Sequence, residues 1–110
     1  MASDYKLLFT DAAARDLDET LSYLCGKLKN PVAAKHLFDG MQAALGNLCA
    51  FPRSGEAVEN EFLILQGVRR VTVDNYNLYY SPDESRKTIT VLRILYGRRD
   101  LNAILREMGM

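Results

Sequence analysis

The chain has 110 residues, of which 48 % are hydrophobic and 25 % are charged, and its formal net charge is zero. This length suits one domain, spanning residues 1–110, and is too short for two. The composition is that of a folded protein and excludes a disordered tail. The overall charge gives no signal for nucleic-acid binding.

The charges are distributed unevenly along the chain. Residues 1–66 carry six basic and nine acidic side chains, whereas residues 67–110 carry eight basic and five acidic ones. The basic part coincides with the predicted strands described below. This distribution permits a local anion-binding patch on an otherwise neutral protein.

Cysteine usage and hydropathy indicate a cytoplasmic protein that makes no contact with a membrane. Cys25 and Cys49 lie among leucines in predicted helices, so we expect buried, reduced thiols rather than a disulfide. No segment approaches the ~18 consecutive apolar residues of a membrane helix. Residues 1–5 lack the charged and apolar regions of a signal peptide.

The first half of the chain predicts one strand and two helices. Tyr5–Phe9 is strand-like, and Thr10 then suits the N-cap of an amphipathic helix that runs to about Lys29. Asn30 and Pro31 begin a second helix, because asparagine suits the N-cap and proline suits the first helical position. The very short turn between the two helices predicts an antiparallel hairpin.

The second half predicts mainly strands. Pro52–Gly67 is irregular and is expected to be a structured loop with a turn of helix. Strands follow over residues 68–73, 76–80 and 91–96, with turns at Asp74-Asn75 and Pro82–Ser85, and residues 100–108 suit a short terminal helix. The order β-α-α-β-β-β predicts an α+β fold, in which an antiparallel sheet of about four strands carries the helical hairpin. The pattern leaves open which face of the sheet the hairpin covers.

The order of short motifs resembles the RelE/ParE superfamily of bacterial toxins from type II toxin–antitoxin systems. The resemblance extends from about Tyr5 to Asp100 and depends on order and spacing rather than on any single motif. The motifs that carry it are Asp16-Leu17, Asn30-Pro31 with Ala33-Ala34, Leu48 with Phe51-Pro52 and Gly55, Arg70 with Tyr76 and Tyr80, and Arg98-Arg99-Asp100.

The resemblance implies a growth-inhibiting toxin, of the kind linked to plasmid stabilization, that is neutralised by a cognate antitoxin protein. It implies binding of operator DNA only through the complex with the antitoxin. Two cysteines and one histidine cannot form a convincing closed zinc site, so we expect no metal and no cofactor. One branch of the superfamily poisons DNA gyrase, and another cleaves messenger RNA on the ribosome without a metal. The target is therefore either gyrase or the ribosome with its mRNA.

Metal-free RNA cleavage needs a base for the 2′-OH proton, cations for the phosphate and an acid for the leaving oxygen. For a nuclease, we assign the catalytic roles to Arg70, Tyr96 and Glu59, with Glu61 as an alternative base. An unperturbed phenol, with a pKa near ~10, suits neutral pH poorly. The residues assigned to binding of the target or RNA are Arg69, Arg93, Arg98, Arg99 and Tyr79.

Each of these residues also has an ordinary structural interpretation, and three functions stay open. The arginines could be solvent-facing or ion-paired, the tyrosines could be packing residues, and the glutamates could form a solvated loop. His36, the single histidine, is far in sequence from the strands, so the best general acid–base is missing there. This absence slightly favours the gyrase branch over the ribosome-dependent endoribonuclease. An inactive family member that still binds an antitoxin is the third alternative.

Overall fold

The computed structural model describes residues 5–97 of the chain. The helices and strands are β1 (Lys6–Phe9), α1 (Asp11–Ser22) with a π-helical continuation (Tyr23–Lys27), α2 (Pro31–Ala50), β2 (Glu56–Ala57), α3 (Glu61–Leu65), β3 (Arg69–Val73), β4 (Tyr76–Asp83) and β5 (Thr88–Tyr96). The predicted terminal helix lies outside the described residues.

The helices begin where their capping residues predict. The Thr10 side chain accepts a hydrogen bond from the Ala13 N–H, and the Asn30 side chain accepts one from the Ala33 N–H. Each bond satisfies an N–H that has no partner within the first helical turn. Pro31 occupies the start of α2, where its missing N–H costs nothing. The two predicted helix starts are therefore confirmed.

The sheet has five strands in the order β1-β5-β4-β3-β2. All neighbouring pairs are antiparallel except β1 and β5, which are parallel. The α+β prediction is confirmed, and the parallel pair and the two-residue strand β2 are additions to it. A parallel pair needs a long crossover, and the intervening helices and strands supply it. Pairing between the two ends of a chain leaves no local signal in the sequence.

The two β-hairpins differ in how well their turns were predicted. Asp74 and Asn75 have φ values of 50° and 70°, which is the left-handed geometry of a two-residue type I′ turn, as expected. In the second hairpin, β4 extends to Asp83, so the turn falls about two residues later than predicted. The Asp83 carboxylate accepts hydrogen bonds from the N–H groups of Ser85 and Arg86 and thereby fixes this later turn.

The sheet carries an apolar cluster on each face. Helices α1 and α2 cover the face that presents Leu78 and Tyr80, and Ala13, Leu37 and Met41 belong to the same cluster. On the other face, α3 and its flanking residues cover a smaller cluster made by Val58, Leu63, Val68, Tyr79 and Leu92. The β4–β5 register is irregular at this point, because Tyr79 is paired with Arg93 and Tyr80 with Val91, so that the register skips Leu92. The hairpin therefore covers the Leu78 and Tyr80 face, which the sequence left open.

The two cysteines differ in accessibility. Cys25 and Cys49 are both free thiols, but Cys25 is exposed and Cys49 is half-buried, so the prediction that both are buried is wrong. The unwinding of α1 into a π-helical turn at Tyr23–Lys27 shifts the helical phase at Cys25.

Within residues 5–97, none of the helices combines the length and the apolar character needed to cross a bilayer.

Candidate functional site

A row of side chains crosses the sheet on the face that α1 and α2 do not cover. Glu56 of β2 is paired with Arg70 of β3, Arg70 with Tyr79 of β4, and Tyr79 with Arg93 of β5. Paired residues on adjacent strands project from the same face of a sheet. Glu56, Arg70, Tyr79 and Arg93 therefore share one face of the sheet.

Arg70 is the central cation of this row, and it is paired with carboxylates. Its guanidinium donates a 2.8 Å hydrogen bond to Glu56, and Glu59 lies 3.7 Å away. The Arg70 side chain is only 9 % exposed, whereas those of Glu56 and Glu59 are 68 % and 65 % exposed. The hydrogen bond that Arg70 donates to Glu56 raises the pKa of Arg70 further, against the opposing effect of burial, and Tyr79 adds to the rise. The guanidinium is thus held as a charged, internally paired group.

Arg93, at the other end of the row, has a carboxylate partner as well. Its guanidinium donates two hydrogen bonds, of 2.7 and 2.9 Å, to the two carboxylate oxygens of Asp16 in α1. Asp16 also accepts a 2.9 Å hydrogen bond from the Ile94 N–H. This fork geometry is the strong form of an arginine–carboxylate pair, and it joins α1 to the edge of β5 beyond the end of β1.

Arg69 lies on the opposite face and holds the loop that carries the two glutamates. Its guanidinium donates hydrogen bonds of 3.0 and 2.7 Å to the carbonyl oxygen of Gly55. The Gly55 N–H in turn donates to the Tyr80 hydroxyl, which donates to the carbonyl oxygen of Pro52. These bonds fix the backbone directly before Glu56. Arg69 therefore supports Glu56 indirectly, by fixing the loop backbone from the opposite face of the sheet.

A polar pocket of about 500 Å³ opens beside Arg70. Glu56, Thr72, Asn77 and Tyr96 line it together with Arg70. Asn77 connects its walls, because its side chain accepts a hydrogen bond from the Thr72 hydroxyl and donates one to the carbonyl oxygen of Gly97. This arrangement can bind a polar group, and it brings together two of the three residues assigned to catalysis.

Tyr96 forms the border between this pocket and a larger apolar groove. Its ring packs edge-on against Tyr76, with the ring centroids 5.1 Å apart, and it is 55 % exposed. The groove, of about 870 Å³, lies between the sheet end and the turn of the helical hairpin, where Leu28 and Val32 contribute to its wall. In this position the Tyr96 ring packs against Tyr76, while more than half of the residue remains accessible.

Only some of the site residues that were assigned from the sequence lie together in the structure. Arg70, Glu59 and Tyr96 lie around or beside one pocket, but Tyr79 is only 1 % exposed and packs in the smaller cluster. This burial removes Tyr79 from the accessible surface and corrects its assignment as a contact residue. Arg98 and Arg99 directly follow Gly97 and lie outside the described residues.

Glu56 and Asn77 are site residues that the sequence reasoning missed. Glu56 belongs to a run of acidic loop residues with no pattern that separates it from its neighbours, and only its pairing across β2 and β3 distinguishes it. Asn77 alternates with Leu78 and follows a turn, which is an ordinary position for asparagine. Within residues 5–97, no three potential metal-ligating side chains are grouped to hold an ion.

The fold defines the class of protein. The structure of the RelBE2 toxin–antitoxin complex from Mycobacterium tuberculosis matches with a TM-score of 0.61 and 23% identity, over 90% of this chain and 98% of that one. The chromosomal ParDE system of P. aeruginosa matches with a TM-score of 0.66 and 23% identity, over 86% and 97%. The isolated E. coli RelE toxin matches with 0.58 and 12%, over 96% and 99%. The fold is that of the RelE/ParE superfamily.

A family model describes this chain more narrowly. Residues 7–101 match the ParE toxin of the type II toxin–antitoxin system parDE. The chain belongs to this family of toxins, as the sequence motifs predicted. A search of curated protein sequences found no match.

Proposed function

We propose that this toxin inhibits growth by binding DNA gyrase rather than by cleaving RNA. The observation that carries the proposal is the pairing of Arg70 with Glu56 at 2.8 Å inside the candidate pocket. A metal-free nuclease needs cations that are available to a phosphate. A guanidinium that is 9 % exposed and bonded to a carboxylate is poorly placed for that role.

The state of Arg93 supports the same proposal. Both of its bonds to Asp16 use the directional donors with which an arginine would otherwise grip a phosphate. The row therefore consists of two arginines whose charges are offset by carboxylates at either end. Such a row stabilises the sheet and leaves recognition of the target to other parts of the surface.

The proposal includes a cognate antitoxin as the protein that neutralises the toxin. The match to the ParE toxin family supports this partner, and two of the structural neighbours were solved as a toxin–antitoxin complex or system. Contact with operator DNA is then made by the antitoxin in the complex. Growth inhibition, plasmid stabilization and action in the cytoplasm are parts of this proposal.

The deciding experiment is expression from a tightly controlled promoter in a bacterial host, with pulse labelling of DNA and protein synthesis minutes after induction. The proposal predicts that DNA synthesis falls first and that the purified toxin inhibits supercoiling by gyrase. An earlier fall in protein synthesis would instead indicate a ribosome-dependent endoribonuclease. No effect on either process would leave the third alternative, an inactive protein that binds its antitoxin.

A specific observation favours the nuclease as the second candidate. Arg70 and Tyr96 line the same pocket, which is the combination that phenol chemistry on RNA would require. Tyr96→Phe separates the two candidates, because it removes the hydroxyl and keeps the ring that packs against Tyr76. Unchanged toxicity is expected for a gyrase inhibitor, whereas a sharp loss of toxicity with intact antitoxin binding would support cleavage.

A further inference from the structure

Three tyrosines from different parts of the chain meet at one end of the sheet. Tyr76 begins β4, and Tyr96, its partner in the β4–β5 pairing, ends β5. Tyr23 comes from the start of the π-helical turn that continues α1. All three line the apolar groove beside the helical hairpin, and all three also line a smaller pocket of about 260 Å³. Tyr23, Tyr76 and Tyr96 together form a tyrosine cluster that joins these two cavities.

The tyrosine cluster stays accessible although its rings lie close together. Tyr23 is 50 % exposed and Tyr96 is 55 % exposed. The rings of Tyr76 and Tyr96 meet edge-on, with 67° between their planes, and such a contact covers at most one face of one ring. The face of a phenol ring carries partial negative charge, which attracts a lysine or arginine cation within about 6 Å of the ring centre.

The carboxylates around the tyrosine cluster add to this attraction. Asp16 and Glu19 line the smaller pocket, and Asp74 lines the apolar groove. Asp16 and Asp74 have partners of their own, which are Arg93 and His36. Within the part of the chain that the structure describes, neither cavity has a lysine or an arginine in its wall. The two cavities therefore combine aromatic and acidic walls, which suit a cation better than an anion.

Glu19 is the carboxylate best placed to share a cation with the tyrosine cluster. It lies four residues before Tyr23, so the two side chains are neighbours on one helical face. The Tyr23 N–H donates a hydrogen bond to the Glu19 carbonyl oxygen, which keeps this spacing helical. Glu19 is exposed, and no ion pair joins it to another described residue. A guanidinium over the Tyr23 ring can therefore also bind the Glu19 carboxylate.

We propose that the tyrosine cluster and Glu19 bind an arginine or lysine side chain of DNA gyrase. The inference rests on the proposed function and identifies the surface with which the toxin recognises that target. A protein that binds DNA presents lysine and arginine side chains at its surface, because these neutralise phosphates. The cation-binding site of the toxin is complementary to such a surface. Leu28 and Val32, which are 51 % and 78 % exposed in the wall of the groove, cover apolar side chains beside that cation.

Two sets of substitutions test the aromatic and the acidic parts separately. Tyr23→Leu removes the ring face and keeps an apolar side chain, whereas Tyr23→Phe keeps the ring and removes only the hydroxyl. Phe51→Leu is the matched control, because Phe51 is 63 % exposed and lines neither cavity. Glu19→Gln removes the charge, and Glu84→Gln makes the same change at an exposed position in the β4–β5 turn, outside both cavities.

The test measures the Kd of the full-length toxin for purified gyrase by isothermal titration calorimetry, together with inhibition of supercoiling. We expect Tyr23→Leu and Glu19→Gln each to raise the Kd by about three- to tenfold. Tyr23→Phe should raise it less than Tyr23→Leu does, and the two control variants should leave it unchanged. Thermal unfolding checks that every variant is folded. The Kd for the purified product of the open reading frame adjacent to the toxin gene is measured with the same variants.

The possible outcomes separate this surface from the proposed function. If the wild-type toxin does not inhibit gyrase, the proposed function fails and this inference fails with it. If the wild type inhibits gyrase, but Tyr23→Leu and Glu19→Gln inhibit it equally well, gyrase stays the target and this surface is wrong.

Two further results would overturn the inference while leaving gyrase as the target. A loss in Tyr23→Leu without a loss in Glu19→Gln would indicate an apolar contact rather than a bound cation. Weaker binding of both variants to the product of the adjacent open reading frame, with unchanged inhibition of gyrase, would assign the tyrosine cluster to the antitoxin. Losses in both variants, with the smaller effect in Tyr23→Phe, support binding of a cation of gyrase.

Discussion

Asp16 and Arg93 are joined by two hydrogen bonds, although 77 positions separate them in the chain. Their pairing closes the edge of β5 where β1 ends, and Asp16 also accepts the Ile94 N–H. An unpaired strand edge is a site of unwanted association. One carboxylate therefore anchors α1, neutralises a guanidinium and protects an edge.

Asp16→Asn tests this anchor. We expect the free energy of unfolding to fall by about 2–4 kcal/mol, because the guanidinium of Arg93 loses its charged acceptor while it stays half-buried. Chemical denaturation measures the change. Asp18→Asn, at an exposed position of the same helix, is the control and should change stability by less than about 0.5 kcal/mol. Equal effects of the two substitutions would contradict the role given to Asp16.

Glu56→Gln tests the pairing that carries the proposed function. Loss of the charged acceptor from the buried Arg70 is expected to lower stability by about 1–2 kcal/mol. Glu84→Gln is the matched control, because Glu84 pairs with Arg53 where both side chains are well exposed, and such pairs contribute little. Thermal and urea unfolding of the two variants provide the comparison. A larger effect from Glu84→Gln would show that the Arg70 pair is not a structural one.

Gly55→Ala tests the close approach beneath the glutamate loop. A Cβ at this position would lie 2.5 Å from the Tyr80 hydroxyl and 2.7 Å from the Arg70 carbonyl oxygen, so backbone has to move. We expect a loss of about 2–3 kcal/mol. Gly46→Ala has open space and lies in a helix, so it should instead stabilise the protein by up to about 1 kcal/mol. Urea unfolding measures the free energy of unfolding of both variants. Changes of opposite sign would support the close approach at Gly55, and two losses of equal size would argue against it.

Tyr76 gives the protein a specific response to alkaline pH. Burial raises the pKa of Tyr76 above its ordinary 10.0, and the nearby Tyr96 adds to the rise. Its contribution to stability is therefore fully present below the unfolded pKa and is lost as the pH rises through the higher folded pKa. Tyr76→Phe should remove part of the loss of stability between about pH 9 and pH 11. Denaturation midpoints of the wild type and of Tyr76→Phe across this range measure the difference, and equal losses of stability in the two proteins would contradict it.

The sequence predicted those parts of the fold that depend on local chemistry. Thr10, Asn30 and the Asp74-Asn75 turn each satisfy backbone geometry within a few residues, and all three are confirmed. The parallel pairing of β1 with β5 depends on residues about 80 positions apart. No periodicity within either strand encodes that choice of partner.

The candidate site was predictable only as a set of residue types. Alternation along β3 places Arg70 and Arg69 on opposite faces of the sheet. It could not show that Glu56 would pair with Arg70, since β2 has only two residues and no recognisable pattern. The register irregularity between Tyr79 and Tyr80 is equally non-local, and it decides which residues of β5 face the helices.

The parallel pairing of the first and last described strands also affects the order of events during synthesis. Lys6 is paired with Thr88, so β1 has no partner until β5 has been made. At ~5–20 residues per second, the ribosome takes about 4–16 s to make the chain between them. The complete sheet therefore forms only after β5 has been made. A partner present near the nascent chain therefore has several seconds to reach the N-terminal strand before the toxin is fully folded.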